Sequence, residues 1–153
     1  FKGQQHSRAC GGSAANSIIG AQTLGSTCFY SCKVGGDETG EFYRDDLLSH
    51  GVKSNLETET FSDGDTGKCL VMVTDDADRT MNTYLGVTGD LSYQQVDETA
   101  LSNSQYLYVE GYLSSSPLAL EASVKTMAFA RSKGIKTAFS LSDPNQNVCR
   151  LLL

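Results

Sequence analysis

The chain has 153 residues, of which 39% are hydrophobic, and it carries a formal net charge of −6. This length and apolar content predict one globular domain with a core, and the acidic balance excludes broad contact with the phosphate backbone of a nucleic acid. No apolar run approaches the roughly 20 residues that a membrane-spanning helix needs, and the N-terminus lacks a basic-then-apolar signal pattern. We therefore expect a soluble, cytoplasmic protein without a nucleic-acid or membrane partner.

The five cysteines are odd in number and widely spaced, at Cys10, Cys28, Cys32, Cys69 and Cys149. Such spacing argues against a disulfide framework and predicts free, mostly buried thiols in a reducing compartment. Because Cys28 and Cys32 lack further His or Cys at ligand spacing, we predict buried small side chains rather than a metal site at these two cysteines.

The first predicted helix runs from Ser13 to Leu24 and is preceded by two glycines, with Gly25 as its stop. Gly11 and Gly12 let backbone N–H groups approach a ligand closely, and a helix N-terminus adds positive dipole character. Asn16 offers a side-chain donor and acceptor near the same end. An isolated glycine pair is more typical of a tight turn, but the combination with Asn16 suits a small polyhydroxylated ligand.

A strand and a second helix follow. The β-branched and aromatic run from Thr27 to Val34 predicts a strand. Asp37 or Thr39 can cap a helix that runs to His50, with Gly51 as its stop. This order predicts a βα unit.

Residues 67–85 predict a β-hairpin, with a polar turn at residues 75–78 between two strands. The first strand is apolar on both faces, which an exposed hairpin does not tolerate. We therefore expect residues 52–90 to form a β lid that covers a ligand or meets a second copy of the chain. Met72, Arg79 and Tyr84 are its candidate residues, although Arg79 beside Asp78 fits a turn-flanking charge pair equally well.

The third part of the chain predicts a strand–helix–strand crossover, after a capping-box pattern at Ser92. The strands are residues 105–110 and 136–141, and Ser116-Pro117 is a typical helix start. A unit of about 35 residues with this order is right-handed and implies a parallel sheet. Asp143 and Asn145 follow the last strand, at the edge where such sheets keep their ligands. They are candidates for a phosphate or metal side of the site.

The glycine pattern resembles the first signature of the ribokinase-like (PfkB) carbohydrate kinase family. Counted from Gly11, that signature has Gly at the second place, a small residue at the fourth, Asn at the sixth, Gly or Ser at the fifteenth, and Gly ten places later. The matching residues are Gly12, Ala14, Asn16, Gly25 and Gly35. Ile18 departs from the pattern, because the family usually has Ser, Thr or Ala there. The Asp78–Arg79 pair also resembles the acidic-Arg pair at the family's lid turn.

The resemblance implies an α/β, Rossmann-like fold with a partly parallel sheet, helices on both faces and a β-hairpin lid. It implies that residues 1–153 are the N-terminal portion of such a domain, without its nucleotide-binding half. The activity that it implies is transfer of the γ-phosphoryl group of ATP, with Mg²⁺, to a hydroxyl of a sugar or nucleoside. Gly11, Gly12 and Asn16 would then contact this small-molecule substrate.

The family's catalytic base is an Asp in a Gly-Ala-Gly-Asp motif, and this motif does not occur in the sequence. We therefore expect no catalytic residue in this chain and no activity from the chain alone. The acceptor stays open between ribose, fructose, another sugar and adenosine. A non-catalytic binding or self-association module is the alternative, and the two-faced apolar strand predicts a homodimer through the lid.

Overall fold

The structure is a computed structural model that describes residues 7–58 and 61–142. Four α-helices occur in this part of the chain: α1 (Ser13–Thr23), α2 (Glu38–Ser49), α3 (Glu98–Ser102) and α4 (Pro117–Ser132). The strands are β1 (Phe29–Tyr30), β2 (Lys53–Ser54), β3 (Lys68–Val73), β4 (Arg79–Tyr84), β5 (Tyr106–Glu110) and β6 (Lys136–Ser140). The predicted candidates Asp143 and Asn145 lie outside the described residues.

The strands form three pairs, of which two are parallel. β1 pairs with β2 and β5 pairs with β6 in parallel, while β3 and β4 form an antiparallel hairpin. Each parallel pair encloses one long helix in the chain order, α2 in the first pair and α4 in the second. Helix α1 packs against both β1 and β5 and so joins the two βαβ units. The predicted α/β class with parallel strands is confirmed.

The helix ends follow the predicted capping residues. Asp37, rather than Thr39, caps α2, because its carboxylate accepts the backbone N–H of Gly40 at 2.8 Å. Ser116 caps α4 and Pro117 is the first helical residue, where proline's fixed φ and missing N–H cost nothing.

Strand β1 is shorter than predicted, since only Phe29–Tyr30 of the expected residues 27–34 pair with a neighbour. Beyond Tyr30 the side chain of Asn55 takes the place of a partner strand. Its Oδ1 accepts the backbone N–H of Cys32 at 2.9 Å, and its Nδ2 donates to the carbonyl of Cys32 at 2.8 Å. A side-chain amide thus satisfies the backbone groups that a strand partner would otherwise take.

The apolar core consists of three clusters of buried residues. The first holds Cys10, Ala15, Leu47 and Val52, the second Cys32, Val34 and Leu56, and the third Leu101, Ala130 and Ile135. Cys10, Cys28 and Cys69 are free thiols, and Cys69 differs from the prediction because it is exposed. No helix among the described residues is long and apolar enough to cross a membrane.

The hairpin β3–β4 forms as predicted, but all twelve of its residues are exposed. The expected cover is therefore not supplied by the described part of this chain. Directly paired residues point to the same face of a hairpin, so the pairs Lys68–Tyr84 and Met72–Thr80 place Met72 and Tyr84 on one face. Arg79, which pairs with Val73, lies on the opposite face.

Candidate functional site

The glycine pair forms an open approach to the N-terminus of α1. Gly12 is the residue before the helix and has φ 106°, a backbone conformation that favours glycine. No side chain caps this helix end. A Cβ on Gly11 or Gly12 would meet nothing within 4 Å. The first-turn N–H groups of α1 therefore have no capping side chain, and the backbone at the glycine pair is open to close approach.

Asn16 lies on the same end of α1 and its side chain is exposed. Its backbone N–H donates to the carbonyl of Gly12 at 2.9 Å, which is the first hydrogen bond of the helix. The amide of the side chain is thereby held one turn beyond the glycine pair.

A buried carboxylate stands beside this helix end. Glu110 is the last residue of β5 and is only 6% exposed. Its Oε2 accepts the hydroxyl of Tyr108 at 2.6 Å, and its Oε1 accepts the hydroxyl of Ser142 at 2.6 Å. Since Ser142 follows β6, the contact joins the carboxyl ends of two neighbouring parallel strands, where open α/β sheets place their ligands.

The environment of Glu110 keeps it ionised. Burial alone would raise the pKa of this carboxyl, but hydrogen bonds from Ser142 and Tyr108 outweigh burial and lower the pKa below its usual value. Ser13, the first residue of α1, also lowers this pKa through a hydrogen bond. Hydrogen bonding to the charged form favours that form. Glu110 is therefore a negatively charged acceptor next to the glycine pair.

This arrangement offers both kinds of hydrogen-bonding group. The N–H groups of the α1 N-terminus donate, and the ionised carboxylate of Glu110 accepts. A sugar hydroxyl both donates and accepts, so a ring with several hydroxyls matches the two sides at once. The geometry suits binding and orientation of a polyhydroxylated molecule.

Sequence reasoning did not identify Glu110 or Ser142. The sequence did contain a signal, because Glu110 ends a predicted strand that carries the apolar residues Leu107 and Val109. A charge at the end of a buried strand is retained where it is hydrogen-bonded or functional. The predicted residues Gly11, Gly12 and Asn16 flank Ser13, which contributes to the lowered pKa of Glu110. Among the described residues, no hydrogen bond or ion pair joins Met72, Arg79 or Tyr84 to them.

Comparison with known proteins decides the family. A family model described as pfkB family carbohydrate kinase matches residues 2–153. The chain belongs to this family. Ribokinase from Mus musculus is 27% identical over 130 residues, which are 85% of this chain and 39% of that protein. A 5-dehydro-2-deoxygluconokinase from Halalkalibacterium halodurans is 26% identical over 137 residues, covering 88% of this chain and 41% of that protein.

The fold of this pfkB-family chain also matches solved structures. The crystal structure of adenosine kinase from Sinorhizobium meliloti superposes with a TM-score of 0.80 at 35% identity, and the match covers 87% of this chain and 40% of that one. The predicted ribokinase-like fold is confirmed. The chain spans about two fifths of the length of these relatives, as the coverage of 39% to 41% shows.

Proposed function

We propose that this chain forms the acceptor side of a kinase that transfers the γ-phosphoryl group of ATP to a hydroxyl of a sugar or nucleoside. Membership of the pfkB family supports the kinase class. The observation that carries the acceptor site is the buried carboxylate of Glu110, which hydrogen-bonds to Tyr108 and Ser142 and whose pKa is also lowered by Ser13 at the uncapped start of α1. Burying a charged carboxylate costs free energy, and charges buried in this way are often found at functional sites.

Each group in the site has a separate task in binding. The N–H groups at Gly11 and Gly12 donate to acceptor oxygens, and Asn16 adds a side-chain donor and acceptor one turn away. Glu110 accepts hydrogen bonds from ring hydroxyls, and a hydrogen bond to a charged group contributes about 1.5–3 kcal/mol. Held in this way, the acceptor presents one hydroxyl in a fixed direction, which lowers the entropy cost of the transfer.

The acceptor that we propose carries a ribose-type ring. One relative is named ribokinase and another adenosine kinase, and adenosine contains a ribose. Free ribose and a nucleoside present the same ring hydroxyls to the glycine pair, Asn16 and Glu110. They differ in the base, for which the described residues around Glu110 offer no assigned partner.

The described residues contain no cluster of metal-ligating side chains. Residues 7–58 and 61–142 contain no group of three or more His, Cys, Asp or Glu side chains that could hold a metal ion. We therefore derive no step through ATP or Mg²⁺ from this chain. Its own residues bind and orient the acceptor, and the catalytic Gly-Ala-Gly-Asp motif is absent from the sequence.

We also propose two occupants for the hairpin. Both faces of β3–β4 carry exposed apolar side chains, with Leu70 at 54% and Met72 at 38% on one face and Val71 at 46% and Met81 at 67% on the other. Two apolar faces need two covers, because exposed apolar surface of this kind favours association. The bound acceptor covers one face as under a lid, and a second copy of the chain covers the other. A self-association module without catalysis is the second candidate that this exposure favours.

Calorimetric titration of the chain with D-ribose and with adenosine tests the acceptor site. We expect one of the two probes to bind, and Glu110→Gln to weaken that binding at least about tenfold, since it removes a charged acceptor. Glu121→Gln is the matched control, because Glu121 is an exposed carboxylate that pairs only with Lys125 at 2.6 Å among the described residues. Equal affinity of wild type and Glu110→Gln, in a variant with unchanged unfolding temperature, contradicts the site. An unaltered affinity in Glu121→Gln is expected.

A second assay separates kinase from binding module. The chain alone should form no ADP in the presence of ATP and either acceptor, because the groups that stabilise the transferred charge are not among its motifs. Acceptor binding without turnover supports the proposed part of a kinase site. Self-association without binding of either acceptor supports the module.

A further inference from the structure

Two side chains of α2 hydrogen-bond to the backbone of Cys10 and Gly11, where the glycine pair begins. The carboxylate Oδ2 of Asp46 accepts the backbone N–H of Cys10 at 2.6 Å. The hydroxyl of Tyr43 donates to the backbone carbonyl of Gly11 at 3.2 Å. Residues three apart lie on one face of a helix, so Tyr43 and Asp46 hold two successive residues of the same segment from one side.

The held segment separates a buried anchor from an exposed end. Cys10 is buried in the cluster with Ala15 and Leu47, whereas Gly11 and Gly12 are exposed. Glycine loses more conformational freedom on ordering than any other residue. Two exposed glycines in succession therefore do not keep a fixed direction by themselves, and the direction of the donors at α1 depends on what restrains them.

We propose that Tyr43 and Asp46 are positioning residues of the acceptor site, which hold the backbone of residues 10–12 so that the donors at the start of α1 stay directed at the bound ring. This inference rests on the proposed function and deepens it. Neither side chain touches the acceptor in this assignment. Both act through the glycine pair, and their loss raises the entropy cost of binding.

The chemistry of Tyr43 fits the donor role. Burial raises the pKa of its phenol, so the hydroxyl keeps its proton at neutral pH and remains a donor to Gly11. The backbone N–H of Cys10 donates to the carboxylate of Asp46, and hydrogen bonds to charged groups are stronger than those between neutral groups. A third, exposed contact joins Arg8 to Glu38 in the first turn of α2 at 2.8 Å, but a surface pair of this kind contributes little.

The thiol of Cys10 reports whether the segment is held. Burial is the main cause that raises the pKa of Cys10, the charge of Asp46 raises it further, and the Tyr43 hydroxyl lowers it. A closed segment therefore protects a thiol that is both inaccessible and poorly ionised. Without the Tyr43 hydroxyl the pKa of Cys10 rises, and this change by itself would slow alkylation of the thiol. A faster reaction in Tyr43→Phe therefore reports opening of the segment.

The first measurement is the alkylation rate of Cys10 with iodoacetamide in the intact chain, resolved by mass spectrometry. We expect Tyr43→Phe to raise this rate about two- to tenfold, as the loss of one hydrogen bond implies. Ser49→Ala is the matched control, because Ser49 is a hydroxyl residue of α2 that bonds to the carbonyl of Asp46 and not to the glycine segment. An unchanged rate in Tyr43→Phe overturns the proposal.

The second pair of variants isolates the hydrogen bond of Asp46 from its charge. Asp46→Asn and Asp46→Ala both remove the charge, but only Asn keeps an oxygen that accepts from Cys10. We expect Cys10 to be alkylated several-fold faster in Asp46→Ala than in Asp46→Asn. Equal rates in the two variants overturn the role of Asp46.

The affinity of the same variants for D-ribose and adenosine then separates positioning from mere stability. We expect Tyr43→Phe to weaken binding about three- to tenfold, and Asp46→Asn to bind more tightly than Asp46→Ala. Faster alkylation of Cys10 with unchanged affinity shows a structural role only and overturns the proposal. If the wild-type chain binds neither probe while the alkylation rates change as expected, the proposed function fails and the restraint of the segment stands.

Discussion

Thr66 at the base of the hairpin donates both its backbone N–H and its hydroxyl to the carboxylate of Asp37, with the N–H at 3.1 Å. The same carboxylate caps α2 at Gly40, and the Nζ of Lys68 lies 3.5 Å from it. Thr66 is buried, and its hydroxyl oxygen also accepts the N–H of Gly35 at 2.9 Å. The carboxylate of Asp37 thus connects the start of α2 to the residues that lead into β3.

This relationship predicts a loss of stability in acid. Burial alone would raise the pKa of Asp37, but hydrogen bonds from Thr66 and Gly40 and the contact with Lys68 outweigh it and lower the pKa from 3.8 to about 2. Because the folded pKa is depressed, the stabilisation is complete above about pH 4 and is lost as the pH falls toward 2.

Urea unfolding at pH 6, 4 and 2.5 measures this effect. We expect the stability of the wild type to fall from pH 4 to pH 2.5 more steeply than that of Asp37→Asn, which has no carboxyl to protonate at this position. Asp63→Asn, at an exposed position, should follow the wild type. Parallel curves for wild type and Asp37→Asn contradict the role of Asp37.

Gly35 should not tolerate a side chain. A Cβ at this position collides with the backbone carbonyl of Gly64 and approaches the N–H of Thr66, so we expect Gly35→Ala to cost about 1–3 kcal/mol of unfolding free energy. Gly20→Ala is the control, because nothing lies within 4 Å of a Cβ there and an alanine inside a helix gains about 0.5–1 kcal/mol over glycine. Chemical denaturation of both variants measures the difference. Equal stabilities would mean that the turn at Gly35 is looser than described.

Asn16→Ala should weaken the interaction with the acceptor. If Asn16 holds ring hydroxyls, its removal leaves those groups unpaired and costs about 2–4 kcal/mol in binding, or in kcat/KM of an active kinase that contains this chain. Thr23→Ala is a control on the same helix, since the Thr23 hydroxyl only bonds back to the carbonyl of Ile19 at 2.9 Å. Unchanged affinity in a folded Asn16→Ala variant rejects the contact.

The hairpin should mediate dimer formation. We expect light scattering at micromolar concentration, under reducing conditions because Cys69 is exposed, to give the mass of two chains. Leu70→Asp should return the mass to one chain, because a charge on the apolar face opposes its burial. Leu24→Asp, at an exposed position outside the hairpin, should leave the dimer intact. A monomeric wild type, or a dimer that survives both Leu70→Asp and Val71→Asp, contradicts this interface.

Much of this protein could be predicted from its sequence, because the signals involved are local. The caps at Asp37 and Ser116 act on N–H groups within three residues of themselves, and the order of strands and helices follows from periodicity. The glycine pair with Asn16 indicated a candidate site for the same reason, since a turn, a helix end and a polar side chain fall within six residues. These features depend on the residues themselves and on their immediate neighbours.

The tertiary structure alone decided which distant groups meet. Glu110 accepts a hydrogen bond from Ser142, 32 positions away, and Asp37 accepts one from Thr66, 29 positions away. The N–H of Cys10 donates to Asp46, 36 positions away. The same reason shortens β1, where the side chain of Asn55 rather than a strand satisfies the backbone of Cys32. Side-chain chemistry determines what each group can donate or accept, but packing of the elements determines which partner lies within hydrogen-bond distance, and no local pattern encodes that distance.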